Sequence, residues 1–193
     1  DKIVSFGELL SSYIISEALQ QTVKSASLKD SRELILTDST FTNATVKTKE
    51  TTTNISSFFK KNKDKIVVLP GFVSRNKNNE TTTLGRGGSD YTAALIASAV
   101  KADVLEIWTD VSGMYTANPK LVKQAFPIEE ISYQEAMELS HFGAKVLYPP
   151  TVHPALQKKI PILIKNTFSP DEKGTLITKK GKDKKQPVKG ISH

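Results

Sequence analysis

Leu84-Gly85-Arg86-Gly87-Gly88-Ser89-Asp90 runs directly into the alanine-rich stretch Tyr91–Lys101, and an apolar run, Val104–Trp108, follows it. Thr81–Leu84, just upstream, reads as a strand, so the region predicts strand, glycine loop, helix, strand. Three glycines let the backbone turn tightly and approach a ligand with no Cβ in the way. Ser89 or Asp90 is placed to cap the following helix. Backbone N–H groups at a helix start favour an anion, and Arg86 adds a planar fork suited to a carboxylate. A capped surface turn with a solvated arginine satisfies the same spacing. The loop is not a Walker A motif, because no Gly-Lys-Ser/Thr follows the glycines, and the G-x-G-x-x-G dinucleotide spacing is absent.

Working outward, Lys65–Leu69 contains an unbroken apolar run that predicts a strand covered on both faces, ended by Pro70-Gly71. Asn76–Glu80 is a polar turn, which makes Thr81–Leu84 the second arm of a hairpin. Glu8–Gln20 predicts a helix with Leu9, Leu10, Tyr13, Ile14 and Leu19 near one face. Glu33–Leu36 predicts a short strand. Thr45–Thr53 suggests a strand and then a turn, with a brief helix through Ile55–Lys61. Tyr133–Leu139 predicts a helix with Ser132 as N-cap and Glu135 in the capping-box position. Pro161–Lys165 predicts a last strand, and the chain beyond Lys179 is expected to be mobile. Strands alternating with helices argue for an α/β fold with a largely parallel sheet, in which ligands bind beyond the carboxyl ends of the strands.

Further segments carry chemistry. Trp108-Thr109-Asp110-Val111-Ser112-Gly113-Met114-Tyr115 puts a hydroxyl and a carboxylate at a strand end, then a tight loop bearing an aromatic ring. Such a loop suits a nucleotide, and equally a turn whose tyrosine packs inward. Lys120, after Pro119, can reach a phosphate or simply be solvated. Phe142-Gly143-Ala144-Lys145-Val146-Leu147 sets a lysine in an apolar stretch, where it either snorkels to water or is held for a task. Gly7-Glu8 places a carboxylate at the expected helix start, where the dipole favours it. His141, His153 and His193 lack ligand spacing, so no metal ligand is assigned.

The 193 residues are 38% hydrophobic and 24% charged, an ordinary composition for a soluble globular chain. There is no cysteine, which excludes disulfides, thiolate catalysis and Cys-based zinc sites. The net charge is +7, but Lys179–Lys189 alone contributes +5 from six lysines and one aspartate, leaving +2 for the rest. That distribution describes a solvated basic tail over residues 179–193, not a nucleic-acid face. No apolar run approaches a membrane span and no signal-peptide pattern opens the chain. The sequons at Asn43, Asn54 and Asn79 are read as coincidence, and the cytoplasm is the expected compartment.

Five segments together resemble the aspartate kinase branch of the amino-acid kinase family. They are Ser5-Phe6-Gly7-Glu8-Leu9-Leu10-Ser11, the run from Thr81 through the glycine loop to Ala94, Glu106-Ile107-Trp108-Thr109-Asp110-Val111, Ser132–Leu139, and Phe142–Leu147. The resemblance extends to about Ile177. Ile164-Lys165-Asn166-Thr167, Gly174-Thr175-Leu176-Ile177 and Pro187–Ser192 are similar to the exit of bifunctional aspartate kinase–homoserine dehydrogenases. It implies a three-layer αβα sandwich, with residues 1–178 as a partial catalytic domain. The implied reaction is ATP + L-aspartate → ADP + 4-phospho-L-aspartate with Mg²⁺, in a homo-oligomeric full-length protein that binds neither nucleic acid nor membrane.

The same resemblance assigns roles. Arg86 would pair with a substrate carboxylate and Glu8 would receive the ammonium group. Ser89 and Asp90 would complete the pocket, Asp90 also orienting a catalytic lysine. Thr109, Asp110, Tyr115 and Lys120 would hold ATP, and Lys145 would neutralise the transferring phosphate. The family begins with a strand and loop reading Lys-Phe-Gly-Gly-Thr-Ser, which has no match here; a truncated chain with negligible kinase activity on its own is the expectation. Asn118-Pro119-Lys120 replaces the usual Asp-Pro-Arg, and Tyr148-Pro149-Pro150 replaces the commoner His-Pro. The other readings are a sibling kinase for glutamate, carbamate or a nucleotide, and a non-catalytic ligand-binding module.

Overall fold

The computed structural model of the chain describes residues 1–142, 147–181 and 190. They form two compact units, Asp1–Val100 and Lys101–His193.

The first unit opens with α1 (Lys2–Thr22), which starts at Lys2 and not at Glu8. Its buried face is also not the apolar one: Ser5, Ser12 and Ser16 are buried, while Leu10, Tyr13 and Ile14 are exposed. Small side chains let the helix lie close against its neighbours. Their hydroxyls are satisfied locally, Ser5 Oγ donating to the Lys2 carbonyl (2.7 Å) and Ser12 Oγ to the Glu8 carbonyl (2.6 Å). β1 (Ala26–Leu28), absent from the sequence expectations, pairs in parallel with β2 (Ile66–Val68). The side chains of β2 are half-buried, so the expected two-sided covering does not hold for this strand.

The strand expected at Glu33–Leu36 does not form. A 3-10 turn occupies Ser31–Glu33, Leu34 and Ile35 enter the core, and Leu36 makes only a single bridge to Arg75. α2 (Thr48–Lys61) absorbs the threonine run that suggested a strand and a turn. Tertiary contacts override β propensity there: Leu36 N–H donates to Thr51 Oγ1 (3.1 Å), Thr51 Oγ1 donates back to the Leu36 carbonyl (3.2 Å), and Ile55 is wholly buried.

The hairpin forms as expected, with β3 (Val73–Arg75) antiparallel to β4 (Thr81–Thr83). Buried Asn76 organises the turn. Its side-chain oxygen accepts from the N–H groups of Asn78 and Glu80, both at 3.0 Å, and its amide donates to Ser39 Oγ and the Glu80 carboxylate. β4 runs through the glycine loop into α3 (Gly88–Val100), which packs on α2 around Leu34, Ile35, Val46, Ile55, Leu84 and Leu95.

The second unit is built on a four-stranded sheet. Its elements are β5 (Leu105–Thr109), β6 (Glu130–Ser132), α4 (Tyr133–Phe142), α5 (Pro149–Gln157), β7 (Ile162–Asn166) and β8 (Thr175–Thr178). The sheet order is β5-β7-β8-β6. β5 pairs in parallel with β7 from Leu105↔Ile162 to Thr109↔Asn166, and β6 in parallel with β8, while β7 and β8 are antiparallel. The short strands β6 and β8 were not anticipated. Along β5, Leu105 and Ile107 are buried while Glu106 and Trp108 face outward, the period-two pattern of a strand covered on one face.

The capping box is present as read. Ser132 N–H donates to the Glu135 carboxylate (2.8 Å), and Glu135 N–H donates to Ser132 Oγ (3.2 Å). Parallel pairings beside antiparallel ones, with helices packed on them, make an α/β fold of mixed sheets. Among the described residues no helix is long and apolar enough to cross a membrane. Most of the basic stretch expected to be mobile, 182–189 and 191–193, lies outside the described residues.

Candidate functional site

In the first unit the glycine loop joins a strand end to a helix start, as its sequence required. Gly85 (φ +72°) and Gly87 (φ +68°) take left-handed conformations that a side chain would strain. The helix already begins at Gly88, so Ser89 and Asp90 lie within its first turn and do not cap it from outside. Arg86 and Ser89 are exposed, and Asp90 is half-buried. Burial raises the Asp90 carboxyl above its ordinary value, by penalising the charged form. These three side chains thus share one loop–helix junction, the N-terminal end of α3.

Glu8 stands in the second turn of α1, not at a helix start, so the dipole argument for its carboxylate fails. It is half-buried. The helix that carries it packs beside β4, the strand feeding the loop. The Asp1 carboxylate fastens that contact by accepting from the backbone N–H groups of Thr83 and Thr42, both at 2.9 Å.

A second turn braces the loop. A Cβ built on Gly71 would fall 2.8 Å from Ser89, and one on Gly88 would fall 2.8 Å from the Phe72 ring. Phe72 itself has φ +67°, a conformation a bulky residue adopts only under constraint. The constraint is visible on both sides of it. Phe72 N–H donates to Thr92 Oγ1 (3.1 Å), and the Phe72 carbonyl accepts from Leu84 N–H (3.0 Å).

In the second unit the expected nucleotide loop leaves the carboxyl end of β5. Thr109 Oγ1 donates to the exposed Asp110 carboxylate (3.2 Å), while the Thr109 carbonyl accepts from Thr167 N–H (2.8 Å). Ser112 is buried and accepts from Asn166 Nδ2 (2.9 Å). Gly113 (φ +107°) lies against Thr175, whose hydroxyl accepts from the N–H of fully buried Met114 (2.8 Å) and donates to the Ile128 carbonyl (2.6 Å). Tyr115 is half-buried and bridges to Pro127. Lys120 is exposed, its N–H donating to Asn118 Oδ1 (3.0 Å) in a side-chain turn. Lys145 lies outside the described residues.

Sequence reasoning had missed the supports: Asp1, Phe72 and Thr92. Pro70-Gly71 announced a turn, yet nothing local says that a threonine twenty residues later reaches back to it. Among the described residues there is no group of three or more His, Asp or Glu side chains that could hold a metal ion.

In each unit a loop follows a strand end: the glycine loop bearing Arg86 between β4 and α3, and the polar loop that leaves β5 at Thr109-Asp110. The family model described as Amino acid kinase family matches residues 1–166, and the chain belongs to that family. Aspartokinases are among the proteins the chain is similar to. The chain is 41% identical over 192 residues to the bifunctional aspartokinase/homoserine dehydrogenase of Buchnera aphidicola, covering 99% of this chain and 23% of that protein. It is 41% identical over 184 residues to the aspartokinase of Rickettsia felis, covering 95% of this chain and 45% of that protein. The crystal structure of E. coli aspartokinase III in complex with aspartate and ADP (R-state) matches with a TM-score of 0.88 at 38% identity, covering 95% of this chain and 41% of that one. The fold is therefore that of an aspartate kinase, and the chain spans less than half the length of each of these relatives.

Proposed function

We propose that this chain is the greater part of an aspartate kinase catalytic domain within a longer polypeptide, residues 1–178 forming the domain and 179–193 a basic linker. The reaction transfers the γ-phosphoryl group of ATP to the side-chain carboxylate of L-aspartate. A carboxylate oxygen attacks phosphorus, the bond to the β–γ bridging oxygen breaks, and ADP leaves. The observation that carries the reading is the Arg86–Ser89–Asp90 junction at the start of α3, in a chain that is 38% identical to a structure holding aspartate and ADP.

The side chains suit this chemistry. Arg86 offers two parallel donors to the substrate's α-carboxylate, and Glu8 a counter-charge to its ammonium group. Ser89 and Asp90 close the pocket between them. Aspartate is already ionised at neutral pH, so its attacking carboxylate needs no general base. The protein's task is to align donor and acceptor and to offset charge on the phosphoryl oxygens, the role assigned to Lys145. Thr109, Asp110, Tyr115 and Lys120 hold the nucleotide.

The reading includes a Mg²⁺ ion, which would be held chiefly by nucleotide phosphates and water. When bound, that ion neutralises phosphate charge. Homo-oligomeric assembly and a cytoplasmic setting complete the reading.

The test is an acceptor comparison in the full polypeptide. ADP release, with hydroxylamine trapping of the acyl phosphate, should require L-aspartate. L-Glutamate, carbamate and UMP should give background rates. Turnover with one of those three and not with aspartate would overturn the assignment in favour of a sibling kinase.

A further inference from the structure

We infer that Thr92 is a positioning residue for the amino-acid site, tying the Pro70-Gly71-Phe72 turn to the start of α3. The inference rests on the aspartate kinase reading above. Thr92 is 3% exposed, and its hydroxyl is used twice. It accepts the Phe72 N–H at 3.1 Å and donates to the Gly88 carbonyl at 2.9 Å. One oxygen thereby links a strained backbone position in the turn to the first residue of the helix that carries Ser89 and Asp90.

The surroundings show why the link matters. Phe72, at φ +67°, would relax if its N–H were released, because only its hydrogen bonds and packing hold that conformation. Its ring lies against Gly88, and Gly71 lies against Ser89, each too close to admit a methyl group. Movement of the turn therefore moves the junction, and with it the side chains proposed to grip the substrate. Contacts made equally to bound substrate and transition state appear in KM and leave kcat alone. Displacement of about 1 Å at such a site costs up to about a hundredfold.

The experiment uses the full polypeptide and the variants Thr92→Val, Thr92→Ala and Thr92→Ser. Val preserves volume without the hydroxyl, Ala serves if Val does not fold, and Ser keeps the hydroxyl. Val or Ala should raise KM for L-aspartate and lower kcat/KM by about ten- to a hundredfold, with KM for ATP within about twofold. Ser should restore the wild-type KM, and the Phe72 amide should exchange with deuterium faster in Val than in wild type or Ser. An unchanged aspartate KM or unchanged Phe72 exchange in a folded Val or Ala variant overturns the inference. So does a loss of folding in both, which would make Thr92 simply structural. Wild-type protein that ignores aspartate overturns the functional reading instead, and the Thr92 assignment with it.

Discussion

Asp1 and Thr83, 82 positions apart in the first unit, are joined by a 2.9 Å hydrogen bond from Thr83 N–H to the Asp1 carboxylate. The same carboxylate accepts from Thr42 N–H, where the backbone is left-handed at φ +69°. One side chain thus pins the start of α1, the loop before Ala44 and the strand that leads into the glycine loop. Asp1→Ala removes a charge-assisted acceptor from two N–H groups. It should lower the stability of the first unit by about 1–2 kcal/mol, read as a lower urea midpoint with an unchanged slope. A midpoint equal to wild type would show that water replaces the carboxylate at no cost.

In the proposed site, Arg86 is the side chain that pairs with the α-carboxylate of the substrate. Arg86→Ala should raise KM for L-aspartate by about thirty- to 150-fold, the loss of a bidentate charged contact worth about 2–3 kcal/mol. Arg86→Lys should recover only a small part, because an ammonium keeps the charge and loses the planar fork. Steady-state kinetics at saturating ATP measure both. Full recovery by lysine would mean that charge alone matters at this position.

Asp90 carries a pH signature. Burial raises its carboxyl above the ordinary value, so between the unfolded and folded values the native state binds more protons than the unfolded one. Stability contributed by this group is then highest below the unfolded value and falls as pH rises toward the folded one. Asp90→Asn should remove that fall. The melting temperature of the variant should equal or exceed that of wild type at neutral pH, while the difference narrows in acid, as thermal melts across pH 3–7 will read. The variant should also lose activity, since the proposal gives Asp90 a place in the pocket. A variant less stable than wild type at neutral pH would contradict the burial argument.

Gly113 shapes the loop proposed to hold the nucleotide. Its φ of +107° lies where L-residues rarely go, and an added Cβ would collide with the Thr175 hydroxyl and stand 2.9 Å from the Thr175 backbone nitrogen. That hydroxyl is already committed to Met114 N–H and the Ile128 carbonyl. Gly113→Ala should therefore cost about 2–4 kcal/mol, combining backbone strain and overpacking, and should weaken ATP more than aspartate. Thermal melts and KM values for each substrate check it. Equal effects on both substrates would indicate general unfolding.

Local patterns sufficed for much of this protein. The glycine loop and its helix, the 76–80 hairpin turn, the Ser132–Glu135 capping box and the strand ending at Thr109 all follow from interactions within a few residues: left-handed turns, side-chain caps and short-period burial. Three of the five segments behind the family resemblance are among them: the glycine loop with its helix, the strand ending at Thr109 and the Ser132–Leu139 stretch. What the sequence could not disclose depended on partners distant along the chain. Threonines 51–53 are helical because Thr51 bonds Leu36, and α1 buries its serines because neighbouring strands demand a close approach. β1, β6 and β8 are too short to announce themselves and exist through the strands they pair with. Phe72 is held in a left-handed conformation by a hydroxyl twenty residues away. Such long-range hydrogen bonds and shape fits have no local periodicity, so only the folded chain decides them.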